Sequence, residues 1–212
     1  MPESPFRNPK SAIQHPKPPV GLILGGSSCV GKTILAKSLC ARFGLTHYQT
    51  DRLLPDNPTL NPLAGPLEIW DRPPQELSEL LAVAANAAIP YISQQVEACE
   101  KQGVGWIVEG ERIHPELVEH LRSSGSTVGL FIVESDAERL HKTLIERLPG
   151  FKALSESRQR CVAAVDRLYN LWLVNECARR DLDWVPSQPW PSLPARVLSM
   201  VRASIGSPRL PC

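Results

Sequence analysis

Eight consecutive residues, Gly26-Ser27-Ser28-Cys29-Val30-Gly31-Lys32-Thr33, fit the spacing GxxxxGK followed by Ser or Thr at every fixed position. Together these types bind phosphate. Glycines let successive backbone N–H groups curl around a phosphate, and the N-terminus of a following helix adds partial positive charge. Lys32 is then placed to reach the β and γ phosphates of a nucleotide, and the Thr33 hydroxyl to bind Mg²⁺. With ordinary residue frequencies a chance match has a probability of roughly 1% in a chain of 212 residues. Requiring a strand before the loop and a helix after it lowers that further.

Two carboxylates follow at strand-like ends: Asp51 closes THYQTD and Glu109 closes WIVE. A carboxylate in the place of Asp51 can receive or orient a proton within hydrogen-bond reach. It can equally be a cap or turn residue, since RLLPD follows. Glu109 ends an apolar run and calls for a cation nearby, because burying an unpaired carboxylate is costly; Gly110 beside it permits close backbone approach. Arg52, Arg112 and His114 lie in the segments after the same two runs, and arginine suits bidentate contact with carboxylate or phosphate. Arg147 stands beside the Pro149-Gly150 break, which has hinge character. The sequence has no guanine-reading NKxD after a later strand and no apolar run ending in paired acids. Its six cysteines form neither a CxxC pair nor a Cys/His cluster with zinc spacing.

These residues need a frame. VGLILGG from Val20 is a short apolar run ending in glycines, the pattern of a parallel strand buried on both faces. Lys32 to Phe43 carries Ile34, Leu35, Leu39 and Phe43 at helical spacing, and Gly44 stands where a helix can end. THYQTD, running to Asp51, predicts the second strand; VGWIVEG from Val104, TVGLFIVES from Thr127 and LDWVP predict the rest. Helices are expected from Gln75 to Gln102, kinked or split at Pro90, then over Ala137 to Leu148, Leu154 to Arg180, and Leu193 to about Ser204. Strands alternating with helices specify an α/β fold: an open parallel five-stranded sheet with helices on both faces and ligands at the carboxyl ends of its strands. The proline-rich stretch Pro55 to Pro66 is a long internal loop of functional or hinge character.

Composition bounds the partners. A chain of 212 residues with net charge +1 and 42% hydrophobic residues suits one globular domain, expected over residues 20–205. Six of the first 19 residues are proline, which predicts a disordered tail over 1–19, and GSPRLPC predicts another over 206–212. Near-neutral charge offers no basic field for nucleic acid or an anionic membrane, and no apolar run is long enough to span one. A cytoplasmic protein with reduced thiols is the expectation; its oligomeric state stays open.

LILGGSSCVGKTILA, then YQTDRL, then WIVEGERIHPELV resemble the bacterial small-molecule kinases of the P-loop class. The likeness is nearest to the 2-phosphoglycerate kinase-like proteins and more distant to the zeta-toxin, chloramphenicol phosphotransferase and shikimate kinase types. It runs from about Val20 to Val185. The resemblance implies a strand order 2-3-1-4-5 and a small helical lid. It implies that Gly26, Ser27, Ser28, Cys29, Val30, Gly31, Lys32 and Thr33 hold the triphosphate of ATP, and that Thr33 and Glu109 hold Mg²⁺. It places Asp51 on the acceptor hydroxyl and Arg147 over the transferred phosphoryl, while Arg52, Arg112 and His114 are candidates for an acidic acceptor by their loop position alone, surface arginines being common. Arg139, Lys142, Lys152, Arg158 and Arg160 share the lid region, where a charge run otherwise marks a solvated face. Trp190 falls where adenine-contacting loops occur in related folds, although packing alone accounts for it. The activity expected is transfer of a γ-phosphoryl group to a hydroxyl of a small anionic metabolite. An ATP-binding switch or assembly protein without a metabolite acceptor is the rival class.

Overall fold

The computed structural model describes residues 21–122 and 127–206. The tail expected over 1–19 lies outside the described residues, as does the one expected at the C-terminus except for Gly206, which ends the last helix. The strands are β1 (Gly21–Gly25), β2 (Thr46–Gln49), β3 (Trp106–Gly110), β4 (Thr127–Val133) and β5 (Asp183–Pro186). They form one all-parallel sheet in the order β2-β3-β1-β4-β5. The helices are α1 (Lys32–Phe43), α2 (Thr50–Leu53), α3 (Pro74–Gln102), α4 (Pro115–Arg122), α5 (Ala137–Arg147), α6 (Glu156–Arg179) and α7 (Leu193–Gly206).

The two faces of the sheet are read directly from strand alternation. Ile23, Trp106, Val108, Phe131 and Val133 point to one side, where α3, α4 and α6 supply Leu77, Ile92, Leu117, Val165 and Leu173. Leu22, Leu24, Ile107, Leu130 and Ile132 point to the other, against Leu35 and Leu39 of α1 and Val197 of α7. Burial on both faces is why these strands read as unbroken apolar runs.

One local expectation is corrected and another is narrowed. β2 stops at Gln49, and Asp51 lies in the first turn of the four-residue α2 rather than at a strand end. The polar run after Gln49 has no apolar alternation to extend the strand. Pro90 does not split α3, which is one helix of 29 residues. Its ring and Asn86, whose carbonyl loses a partner, are both exposed, so water can satisfy that carbonyl while Leu81, Ala84, Ala88 and Ile92 keep one buried stripe. Within the proline-rich loop, Leu60 is buried in the main core cluster. Among the described residues no helix is long and apolar enough to cross a membrane.

Candidate functional site

Register sets the positions. β1 pairs with β3 so that Leu24 lies beside Glu109 and Gly25 beside Gly110, and β2 pairs with β3 so that Gln49 also lies beside Glu109. The segments leaving β1, β2 and β3 therefore emerge side by side at the carboxyl edge of the sheet. They are also in close contact, since a Cβ on Gly110 would stand 1.7 Å from Thr50 Oγ1. Only glycine fits there.

The loop Gly26–Thr33 turns into α1 through Gly31, whose φ of 101° lies in the left-handed region. No side chain caps α1, which leaves its first N–H groups and partial positive charge to a ligand. Lys32 is buried, and its Nζ folds back to donate to the Ser27 carbonyl at 2.6 Å. Thr33 Oγ1 donates to Glu109 Oε1 at 2.8 Å. Gln49 Nε2 donates to the same oxygen at 3.1 Å, and His47 Nε2 stands 3.2 Å from it. Glu109 is 2% exposed, so these contacts fix one orientation of a buried carboxylate against Thr33.

The other residues singled out from the sequence separate into two groups. Asp51 and Arg52 are exposed, and Asp51 makes no side-chain hydrogen bond or ion pair among the described residues. Arg147, also exposed, places its guanidinium 5.0 Å from the centre of the Trp190 ring. That ring lies against Gly31, where an added Cβ would come within 2.2 Å of it, so packing across the chain brings Arg147 to the phosphate loop. Arg112 and His114, expected on an acceptor, are both buried. Arg112 forms an ion pair with Glu111 and donates through Nε to the Leu60 carbonyl at 2.9 Å. His114 Nδ1 accepts from the Glu116 N–H at 3.1 Å, and its ring packs 5.4 Å from that of Trp172. Burial holds the His114 imidazole below its ordinary range. Of the charged residues in the lid region, Arg139 pairs with Glu134 and Asp136, Arg158 with Asp71, and Arg160 with Glu156.

Sequence reasoning missed a polar cluster behind the loop. Ser28 Oγ donates to Glu111 Oε1 at 3.1 Å, and Tyr169 OH to the Glu111 carbonyl at 2.8 Å. Asn170 Nδ2 donates to Ser27 Oγ at 2.7 Å. Asp166, one helical turn before Asn170, is buried with its Oδ2 unpartnered. Burial first, and the Glu111 charge second, hold its carboxyl well above the ordinary carboxylate range, with Lys32 and Arg112 opposing. Cys29, beside the same charges, is also raised, mainly by burial, which keeps it a thiol. One signal was available: Asp166 and Asn170 are polar residues on the helix face that Val165, Tyr169 and Leu173 commit to the core.

No protein-family model and no curated protein matches the chain. Among solved structures, a gluconokinase from Sinorhizobium meliloti 1021 is similar over 89% of this chain and 92% of its own, with 14% identity and a TM-score of 0.51. The chain shares that fold. A deoxyadenosine kinase from M. mycoides (6% identity, 87% of this chain and 100% of its own, TM-score 0.49) is also similar. So is a shikimate kinase from Bacteroides thetaiotaomicron (13% identity, 86% and 98%, TM-score 0.48).

Proposed function

We propose that the protein is a phosphotransferase that moves the γ-phosphoryl group of ATP to a hydroxyl of a small molecule. One observation carries this: the GxxxxGKT loop enters a helix start that no side chain caps, with Thr33 already bonded to buried Glu109 at the carboxyl edge of a parallel sheet. The backbone of Gly26–Thr33 cradles the phosphates, and Lys32 exchanges the Ser27 carbonyl for the β and γ phosphates.

Thr33 and Glu109 fit Mg²⁺: both offer hard oxygen donors, they stand 2.8 Å apart, and a Mg²⁺ that keeps its waters and phosphate ligands needs no larger protein cage. Bound there with the nucleotide, the ion would neutralise phosphate charge. Asp51 orients the acceptor hydroxyl, and Arg52 beside it meets an anionic group on the acceptor. Arg147 leaves Trp190 to contact the transferred phosphoryl. Arg112 acts through Glu111 and the Leu60 loop, and His114 caps α4 beneath the acceptor side. Phosphoryl transfer needs positioning and charge neutralisation more than covalent chemistry, so neither a Ser nor a Cys nucleophile is required.

The test is a metabolite-pool screen with γ-labelled ATP and mass detection of products, with 2-phosphoglycerate among the first pure compounds tried. A labelled product that wild type forms and Lys32→Ala does not supports the assignment. ATP binding without any labelled product across the pool would leave the ATP-binding switch in its place.

A further inference from the structure

A loop that offers its N–H groups to phosphate cannot also spend them on the backbone bonds that fix helices and strands. Something else must hold its shape. Among the described residues, the one backbone hydrogen bond that ties residues 27–31 to the rest of the chain runs from the Leu35 N–H to the Gly31 carbonyl, at 3.0 Å. The loop is also bent against its preferences: Cys29 has a φ of 57°, in the left-handed region that residues other than glycine adopt only when their surroundings hold them there.

A side chain from α6 does the holding. Ser27 and Asn170 are both fully buried, and Asn170 Nδ2 donates to Ser27 Oγ at 2.7 Å. The same amide nitrogen donates to the Asp166 carbonyl, one turn earlier in α6, at 2.9 Å. A carbonyl only accepts, so this second bond decides that the nitrogen of the amide, and not its oxygen, faces the loop. Ser27 Oγ is therefore the acceptor, and its own hydrogen turns to the Ser28 carbonyl at 3.4 Å. The Ser27 carbonyl in turn receives Lys32 Nζ at 2.6 Å. Bonds thus run without a break from α6 through Asn170 and Ser27 to Lys32. Beside Asn170, the fully buried Tyr169 donates to the Glu111 carbonyl at 2.8 Å, which makes this stretch of α6 a fixed reference for the loop.

We propose that Asn170 is a positioning residue for nucleotide binding: through Ser27 it keeps the phosphate loop in the shape that receives a triphosphate, and it sets the carbonyl from which Lys32 passes to the phosphates. This rests on the phosphotransferase assignment above. Ser27 Oγ is buried toward α6, so Asn170 acts on the loop and not on the ligand. Without the bond the loop relaxes away from the left-handed turn at Cys29, and its N–H groups no longer converge on one point. The order lost must then be supplied at each binding event, which lowers affinity.

The test is a double-mutant cycle on the full chain, with Mg·ATP affinity from calorimetric titration and stability from urea unfolding of the same preparations. Its members are Ser27→Ala, Asn170→Leu, which replaces the amide by an apolar group of the same branching, and the two combined. Each single variant should bind Mg·ATP about tenfold more weakly, the scale of one buried hydrogen bond. The double variant should bind about as weakly as either single, because both remove the same link. Stability should behave differently. Each single change leaves a buried polar group unpaired, whereas the double leaves neither, so it should regain stability while its affinity stays low. Ser27→Ala removes a single oxygen and carries the test from the loop side even where Asn170→Leu does not fold. Single variants that bind Mg·ATP within about threefold of wild type overturn the proposal. So does a double variant whose affinity returns along with its stability, since the bond is then merely structural. Losses that multiply to about 100-fold in the double overturn it too, because Asn170 then acts elsewhere than on Ser27. A wild type that fails to bind Mg·ATP removes the phosphotransferase assignment, and this proposal with it.

Discussion

Glu109→Gln removes a charge while keeping the shape of the side chain. In the fold, Thr33, Gln49 and His47 all approach one oxygen, at 2.8, 3.1 and 3.2 Å. The amide oxygen of glutamine can take that place, so each contact loses only its charge-assisted part, about 1 kcal/mol. Relief from burying a carboxylate that is 2% exposed offsets some of this. The net loss of stability should stay below about 2 kcal/mol. Its effect on Mg²⁺ should be larger, because a divalent ion beside Thr33 loses a charge-assisted contact worth about 2 kcal/mol, or roughly 30-fold in affinity. Calorimetric titration with ATP, in excess Mg²⁺ and again in EDTA, separates the two effects. The Mg²⁺-dependent gain in affinity should shrink by about 30-fold, while Mg²⁺-free affinity stays level or rises as a like charge is removed. A Mg²⁺-dependent gain within about threefold of wild type, with stability lowered by more than about 3 kcal/mol, would refute the metal role and make Glu109 an anchor between β2, β3 and α1.

Lys32→Ala should abolish most triphosphate affinity without unfolding the protein, since the ammonium bonds a loop carbonyl rather than a core partner; unchanged ATP binding by a folded variant would contradict the loop assignment. Gly31→Ala must carry a side chain at φ 101° and push the Trp190 ring away from a 2.2 Å overlap. It should lower stability by about 2–4 kcal/mol in urea unfolding, and a loss under about 0.5 kcal/mol would show that the ring and loop are not packed as described. His114, held neutral by burial, has a folded pKa below its unfolded value of 6.5. Its stabilising contribution is whole above pH 6.5 and declines as pH falls below it, because the unfolded chain takes the proton first. His114→Asn keeps an acceptor for the Glu116 N–H, so wild type should lose stability relative to it between pH 7 and 5, at no more than about 1.4 kcal/mol per pH unit; parallel curves would refute this.

What the sequence by itself determined is local and contiguous. The phosphate loop is eight successive residues whose conformation glycine permits at fixed spacings, and α1 begins at Lys32 and ends at Phe43 as its periodicity and Gly44 require. The strands were legible because burial on both faces leaves unbroken apolar runs, and alternation with helices specified a parallel sheet before any contact was known. Helix continuity through Pro90 was not legible, because it depends on which carbonyl faces water. The partners of charged side chains were hidden for a related reason. Arg112 sits in a loop of the expected kind, but the Leu60 loop and Glu111 take up its donors; Trp190 meets Gly31 across more than 150 residues of chain, and Asn170 meets Ser27 at a separation of 143. A side chain's type states what it can bond, whereas strand order and helix packing decide which distant groups arrive within 3 Å of it. Only the tertiary structure could therefore seat Asn170 of α6 on Ser27, and through it on the carbonyl that Lys32 bonds.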